Sequence, residues 1–247
     1  VPDGNIKVVM ALGLHPGQTE EEMEGKLGRE VLNRVEVVNH NPDCDLEFLG
    51  HTGRGTPVYV NRHMVEAGVK IGVGSISPHP AAGYTGGSKI VLPGVSGRET
   101  IYRNHFLYRE ENSVLGRLDG NPLVEDNLEA ARKLGLNFIV NAVLDSAGRI
   151  LRLFSGDVAE AHRAGVEFFD SIYKVSVPEV VDVSIVSSYP ADIDLYQSWK
   201  ALFPASMVTR SGGVVILVSP CFEGVSDELY EALAGLRLHE AGIEDVY

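Results

Sequence analysis

The chain has 247 residues, with 34 Asp and Glu against 21 Lys and Arg, giving a formal charge of −13. At about 150 residues per domain, this length holds one to two domains; 44% apolar and 22% charged residues furnish a full core and exclude wholesale disorder. So acidic a balance excludes a general nucleic-acid binder, which needs clustered Lys and Arg, and no apolar run nears the roughly 20 residues that span a bilayer.

Two cysteines, Cys44 and Cys221, with no CxxC pair, fit a reducing, cytoplasmic setting. The opening Val1-Pro2-Asp3-Gly4 carries no basic signal-peptide region. Short apolar runs then alternate with amphipathic stretches, the pattern of an α/β fold. Ile6 to Leu12 reads as a buried strand, and Thr19 to Val35 as a helix opened by the capping box Thr19-x-x-Glu22. Val35 to Val38, Leu46 to Leu49 and Pro57 to Val60 read as strands, Asn61 to Ala67 as a helix, and Val69 to Ile76 as a further strand. From Ser75 to Gly97, Gly, Pro, Ser and Thr dominate around a β-like Ile90-Val91-Leu92, which marks a functional loop. A second capping box, Ser96-x-x-Glu99, predicts a helix through Ile101 and His105.

Pro122 to Leu134 reads as a helix ended by Gly135. Phe138 to Leu144 and Arg149 to Phe154 form a predicted hairpin, followed by a helix from Asp157 to Tyr173. Around Val175 to Glu179 lies a linker. Beyond it, Val181 to Val186 (strand), Asp194 to Phe203 (helix), Val214 to Val218 (strand) and Asp227 to Leu236 (helix) make a second α/β block. The expected organisation is two α/β domains, a larger one over residues 1–174 and a smaller one over 175–247, with an active-site crevice between them.

Three places carry chemistry. Gly83-Tyr84-Thr85-Gly86-Gly87-Ser88-Lys89-Ile90 is superficially like a Walker A loop, but Ser88 stands in place of its last Gly and Ile90 in place of its metal-binding hydroxyl. Gly72-Val73-Gly74-Ser75-Ile76-Ser77 likewise misses the last Gly of a dinucleotide fingerprint. What remains is that Gly86 and Gly87 let backbone approach a ligand beside an amine, Lys89. A flexible surface loop with a solvated lysine is the blander alternative.

Among eight histidines, His15 and His79 each follow a predicted strand and precede Pro, so both can face one crevice at strand ends. Either can equally be a solvated loop residue, and His105 a helix-packing one. His162, on an Ala-rich helix, and His239 carry no functional signal. In Asp194 to Lys200, helical spacing puts Tyr196, Gln197 and Lys200 on one face and Leu195 and Trp199 on the other. A phenol, an amide and an ammonium suit a small polyhydroxylated acid; an ordinary solvated face fits the same spacing.

Gly13-Leu14-His15-Pro16, Ser77-Pro78-His79, Ala82 to Lys89 with Leu92-Pro93-Gly94-Val95, Asn104-His105 and Tyr196-Gln197-x-x-Lys200 occur in this order. Together they make the chain resemble the nickel-pincer-nucleotide-dependent lactate racemase family over nearly its whole length. The resemblance implies an isomerase that racemises or epimerises a small, lactate-like 2-hydroxy acid. Its cofactor is nickel held in a pyridinium bisthiocarboxylic acid mononucleotide made by cofactor-synthesis proteins. On this resemblance Lys89 anchors the cofactor, covalently in the lactate enzyme, beside Gly86 and Gly87. His105 ligates nickel, His15 and His79 are the acid/base pair, and Tyr196, Gln197 and Lys200 bind substrate.

The residue types suit the chemistry, because two imidazoles on opposite sides of a substrate can each give or take the hydroxyl proton. The family's Thr-Arg-Pro element, which contributes an active-site arginine, is missing ahead of Gly13, so the N-terminal domain is expected to lack its leading segment and the C-terminal block to stop early. Two other readings follow from the same residues. One is a non-catalytic or truncated ligand-binding module of this fold. The other is a zinc-type hydrolase on His15, His79 and His105, disfavoured because no HxH or HExxH pair occurs.

Overall fold

The structure, a computed structural model, describes residues 1–225. The helix expected over Asp227 to Leu236, and His239, lie outside the described residues. The chain divides into two compact units, Val1–Lys174 and a second beginning at Val175. No helix among the described residues is long and apolar enough to cross a membrane.

In the first unit, β1 (Lys7–Met10) pairs in parallel with β2 (Glu36–Asn39) across the helices α1 (Glu20–Leu27) and α2 (Arg29–Arg34). The capping box forms as expected: Thr19 accepts from the Glu22 amide and Glu22 from the Thr19 amide. The single helix expected over Thr19 to Val35 is broken at Gly28, whose φ of +80° is left-handed and interrupts the helical ladder. β3 (Leu46–His51) and β4 (Pro57–Asn61) form an antiparallel pair leading into α3 (Arg62–Glu66).

β5 (Ile71–Ser75) leads into two short antiparallel segments, β6 (Pro78–His79) and β7 (Gly83–Tyr84). After a 3-10 turn over Gly87–Ile90 comes α4 (Arg98–His105), then a second 3-10 turn over Phe106–Arg109 and α5 (Pro122–Leu134). β8 (Phe138–Leu144) pairs in parallel with β5 and antiparallel with β9 (Ile150–Gly156), so the predicted hairpin is present, and α6 (Glu160–Tyr173) follows.

Two expectations in this stretch are corrected. Ile90-Val91-Leu92 is not extended: Val91 has helical backbone, and the segment's apolar side chains enter the core as a turn. Val91 and Leu92 pack with Val58, Val60, Val95, Ile101, Ala130, Ala131 and Leu134, uniting β4, α4 and α5. Ser96 does not cap α4 either. It is fully buried, its hydroxyl donates to the Val91 carbonyl at 2.8 Å, and the cap position falls on Gly97. A buried hydroxyl needs a partner, and the turn's carbonyl is the one in reach.

The second unit pairs β10 (Val181–Ser187) in parallel with β11 (Thr209–Val218). Between them α7 (Leu195–Ser198), a 3-10 turn over Trp199–Ala201 and α8 (Leu202–Val208) replace the one helix expected over Asp194 to Phe203. Asp194 caps α7 by accepting from the Gln197 amide.

Candidate functional site

The glycine-rich loop is not a free surface loop. Its start is held by β5: the Ser77 amide donates to Thr85 Oγ1 at 2.9 Å, and Thr85 Oγ1 donates to the Ser75 carbonyl at 2.9 Å. The Tyr84 hydroxyl donates to Asp170 on α6 at 2.6 Å, and burial together with that carboxylate pushes the phenol's pKa up. Asn141, on β8 and 2% exposed, accepts from the Gly87 amide at 2.8 Å. His162, on α6 and 7% exposed, donates from Nε2 to the Thr85 carbonyl at 2.8 Å.

The His162 ring also lies so close to Gly87, where φ is +56°, that a Cβ there would sit 2.5 Å from its Nδ1. Glycine at 87 is therefore required both by backbone conformation and by space. Burial pushes the His162 imidazole below its ordinary pKa, with the Thr85 carbonyl opposing. A neutral ring with one N–H suits a single carbonyl partner. His162, without functional signal in the sequence, is thus a brace of the Lys89 loop.

Downstream of Lys89, the Gly94 amide donates to the Lys89 carbonyl at 3.1 Å, and the Gly94 carbonyl accepts from the Gly13 amide at 2.9 Å. This short backbone chain ties the lysine's turn to the turn carrying His15, closed by the His15 amide on the Leu12 carbonyl at 3.0 Å. His15 itself is exposed.

His105 ends α4. Its pKa is pulled down to about 4, first by burial and then by the charge of Lys89, while the Ile101 carbonyl one turn back opposes the shift. The charge of Lys89, sixteen residues away in the sequence, thus acts on the His105 ring. At neutral pH the imidazole is uncharged, and its Nδ1 is buried on the side of the Ile101 carbonyl. Asn104, fully buried beside it, donates to Asp126 on α5 at 2.8 Å, and Asp126 also accepts from Thr56 at 2.9 Å, so the end of α4 is fixed from within the core.

His79 is half-buried. Its Nδ1 accepts from the amides of Ala82 at 3.0 Å and Ala81 at 3.3 Å, which places the neutral ring's proton on Nε2. Tyr108 links the two histidines: its ring stacks on His105 at 4.6 Å between centroids and meets His79 edge-on at 6.4 Å.

In the second unit, Lys200 donates to the Gln197 side-chain carbonyl, so these two share a face as the spacing predicts. Gln197 is partly buried and Lys200 exposed; the backbone of Tyr196 lies within α7.

Among the described residues no three His, Cys, Asp or Glu side chains converge where they could hold a metal ion. That corrects the zinc-hydrolase reading of His15, His79 and His105, because a zinc site of that kind takes at least three protein ligands.

Comparison with known proteins is decisive on descent. The family model described as the lactate racemase N-terminal domain matches residues 1–116, and that of the lactate racemase C-terminal domain matches residues 176–246. The chain belongs to the lactate racemase family. It is 34% identical over 230 residues to a lactate racemase of Thermoanaerobacterium thermosaccharolyticum, covering 91% of this chain and 54% of that protein. To a lactate racemase of Lactiplantibacillus plantarum it is 33% identical over 241 residues, covering 94% of this chain and 56% of the relative. The chain therefore spans about half the length of the curated relatives it matches.

The lactate racemase apoprotein from T. thermosaccharolyticum superposes with a TM-score of 0.87, at 34% identity, over 91% of this chain and 55% of that one. A Thermotoga maritima protein shares the fold, with a TM-score of 0.62 at 22% identity over 74% of this chain and 51% of its own. Asn141, His162 and Asp170, which brace the Lys89 loop, all fall in the stretch between the two matched family regions.

Proposed function

We propose that this protein racemises or epimerises a small, lactate-like 2-hydroxy acid with the help of a nickel-pincer nucleotide. The observation that carries the reading is a buried, neutral His105 on which the charge of Lys89 acts. The donor set fits such a group. With no three-ligand cluster among the described residues, a metal held by His105 would need further ligands from an organic partner. Lys89 would anchor that partner, and Gly86 and Gly87 would let it lie against backbone. When bound, the nucleotide supplies the hydride acceptor for the substrate's carbon 2.

The chain's own residues handle the proton. With Nδ1 committed to the Ala81 and Ala82 amides, His79 presents an N–H and acts first as a donor to a substrate oxygen. His15, on an exposed turn, is the base that takes the hydroxyl proton. The other enantiomer would result when carbon 2 regains its hydride on the opposite face and His79, in place of His15, gives the oxygen its proton. Tyr196, Gln197 and Lys200 are the proposed substrate-binding residues, with the Lys200 ammonium matching a carboxylate. The family relationship favours lactate or a close analogue as substrate.

The test is the protein made together with the cofactor-synthesis enzymes, assayed for nickel, intact mass and interconversion of D- and L-lactate. Stoichiometric nickel lost in His105→Ala, added mass lost in Lys89→Ala, and interconversion lost in His15→Ala and His79→Ala with nickel retained are the expected results. A preparation that stays free of nickel and of any pyridinium nucleotide would refute the reading.

A further inference from the structure

The chain leaves α4 through a 3-10 turn over Phe106–Arg109, for which His105 is the flanking residue. In a 3-10 turn, side chains three apart eclipse one another, so the change of helix type after His105 carries Tyr108 directly over the imidazole. The result is a stack with 4.6 Å between ring centroids and 21° between planes, with the phenol oxygen 3.3 Å from His105 Nε2. The same ring meets His79 in a T-shaped arrangement, with 6.4 Å between centroids and 71° between planes. The turn is closed by the Ser113 hydroxyl, which donates to the Leu107 carbonyl at 2.6 Å, and by the Ser113 amide on the Glu110 carbonyl. Tyr108 is 39% exposed, so filling the core does not account for an aromatic side chain here.

We propose that Tyr108 is a positioning residue that fixes the planes of the His105 and His79 imidazoles relative to each other. This rests on the reading of those histidines as working groups. An imidazole binds a metal or a proton in its ring plane, whereas a stacked ring occupies only a face. Tyr108 therefore fixes the plane of the His105 ring through the stack, with its hydroxyl within hydrogen-bond distance of Nε2. A displacement of about 1 Å in a reacting group can cost about a hundredfold in rate, so the orientation of that plane matters.

The experiment uses the metal-free full chain, which separates it from the racemase reading. Parent, Tyr108→Phe and Tyr108→Leu are treated with diethyl pyrocarbonate, and modification is followed histidine by histidine by peptide mass spectrometry. In Tyr108→Leu the rates at His105 and His79 should change at least threefold while exposed His51 stays constant, and Tyr108→Phe, which keeps the ring, should match the parent within twofold. Unchanged rates at His105 and His79 in Tyr108→Leu would overturn the proposal. If buried His40 also becomes reactive, the leucine variant has loosened generally, and the parent decides. Nuclear Overhauser contacts from the Tyr108 ring to both imidazoles then support the proposal, and their absence overturns it. In the loaded enzyme, Tyr108→Leu should lower kcat with KM and nickel content held, with recovery in Tyr108→Phe. If the protein proves not to be a racemase, the modification result still stands by itself.

Discussion

Gly87→Ala is the sharpest perturbation the loop offers. The new Cβ would lie 2.5 Å from Nδ1, 2.6 Å from Cγ and 2.9 Å from Cε1 of His162, a buried ring that cannot move aside without giving up the Thr85 carbonyl at 2.8 Å. Holding alanine at φ +56° costs about 1–2 kcal/mol. Overpacking a closed site adds about 1–3 kcal/mol, and the lost hydrogen bond about 1 kcal/mol. A destabilisation of about 3–6 kcal/mol follows, a large share of the roughly 5–15 kcal/mol that holds a domain together. In a His162→Ala background the ring is gone and only the backbone strain remains, so the same substitution should cost about 1–2 kcal/mol. The difference, a coupling of about 2–4 kcal/mol, is read from a double-mutant cycle in urea followed by far-ultraviolet circular dichroism, with m-values compared to check that one transition is being measured. Equal costs in the two backgrounds, or a cost below about 0.5 kcal/mol in the parent, would refute the claim that His162 braces the loop.

Three more outcomes are expected. Asp126→Ala leaves the buried Thr56 hydroxyl and Asn104 amide without an acceptor, and at about 1–3 kcal/mol per orphaned donor it should cost roughly 3 kcal/mol in the same unfolding assay. His40, buried, is held below the ordinary imidazole value of 6.5 by desolvation, with the Ser96 carbonyl at 2.8 Å opposing. The unfolded chain then binds a proton that the folded chain refuses. Stability should be full above about pH 6.5 and fall on acidification below it, and His40→Gln should flatten that dependence in urea midpoints taken from about pH 7.5 to about pH 5. Nitrogen-15 spectra of histidine-labelled protein should show His79 with its proton on Nε2, and a ring protonated on Nδ1 at neutral pH would contradict the Ala81 and Ala82 contacts.

Much of the fold is legible in the sequence because it is local. The Thr19 capping box, Gly135 behind α5, and the apolar runs of the β8–β9 hairpin each encode their element within a few residues, and each is present. The misreadings have a common cause. Ile90-Val91-Leu92 has the residue types of a strand, yet three apolar side chains in a turn serve equally well when β4, α4 and α5 surround them. Ser96 and Glu99 match a capping motif, yet burial turned the serine hydroxyl to a carbonyl of that turn. Helix termination behaved likewise: Gly28 inside an otherwise periodic stretch marked the break between α1 and α2, and periodicity alone passed over it.

The candidate site divides along the same line. Lys89, Gly86, Gly87 and His79 are visible because reactive side chains beside glycines and prolines are rare combinations in a short span, whereas His105 stands out only through the family resemblance. His162, Asn141 and Tyr108 are not, since a histidine on an Ala-rich helix, an asparagine in a strand and a tyrosine after a helix are ordinary where they stand. Only Tyr108 left a sequence trace, its spacing of three from His105.

By itself the sequence determined the α/β character, the loop, and the residue types available for binding and proton transfer, because those are properties of composition and near-neighbour spacing. Tertiary structure decided which of them act together. It put the Lys89 charge against a desolvated His105, committed His79 Nδ1 to two amides, and closed the loop with braces from β8 and α6 more than fifty residues away. Protonation state and ring orientation depend on what is within a few ångströms, and that is set by packing between elements distant in the chain.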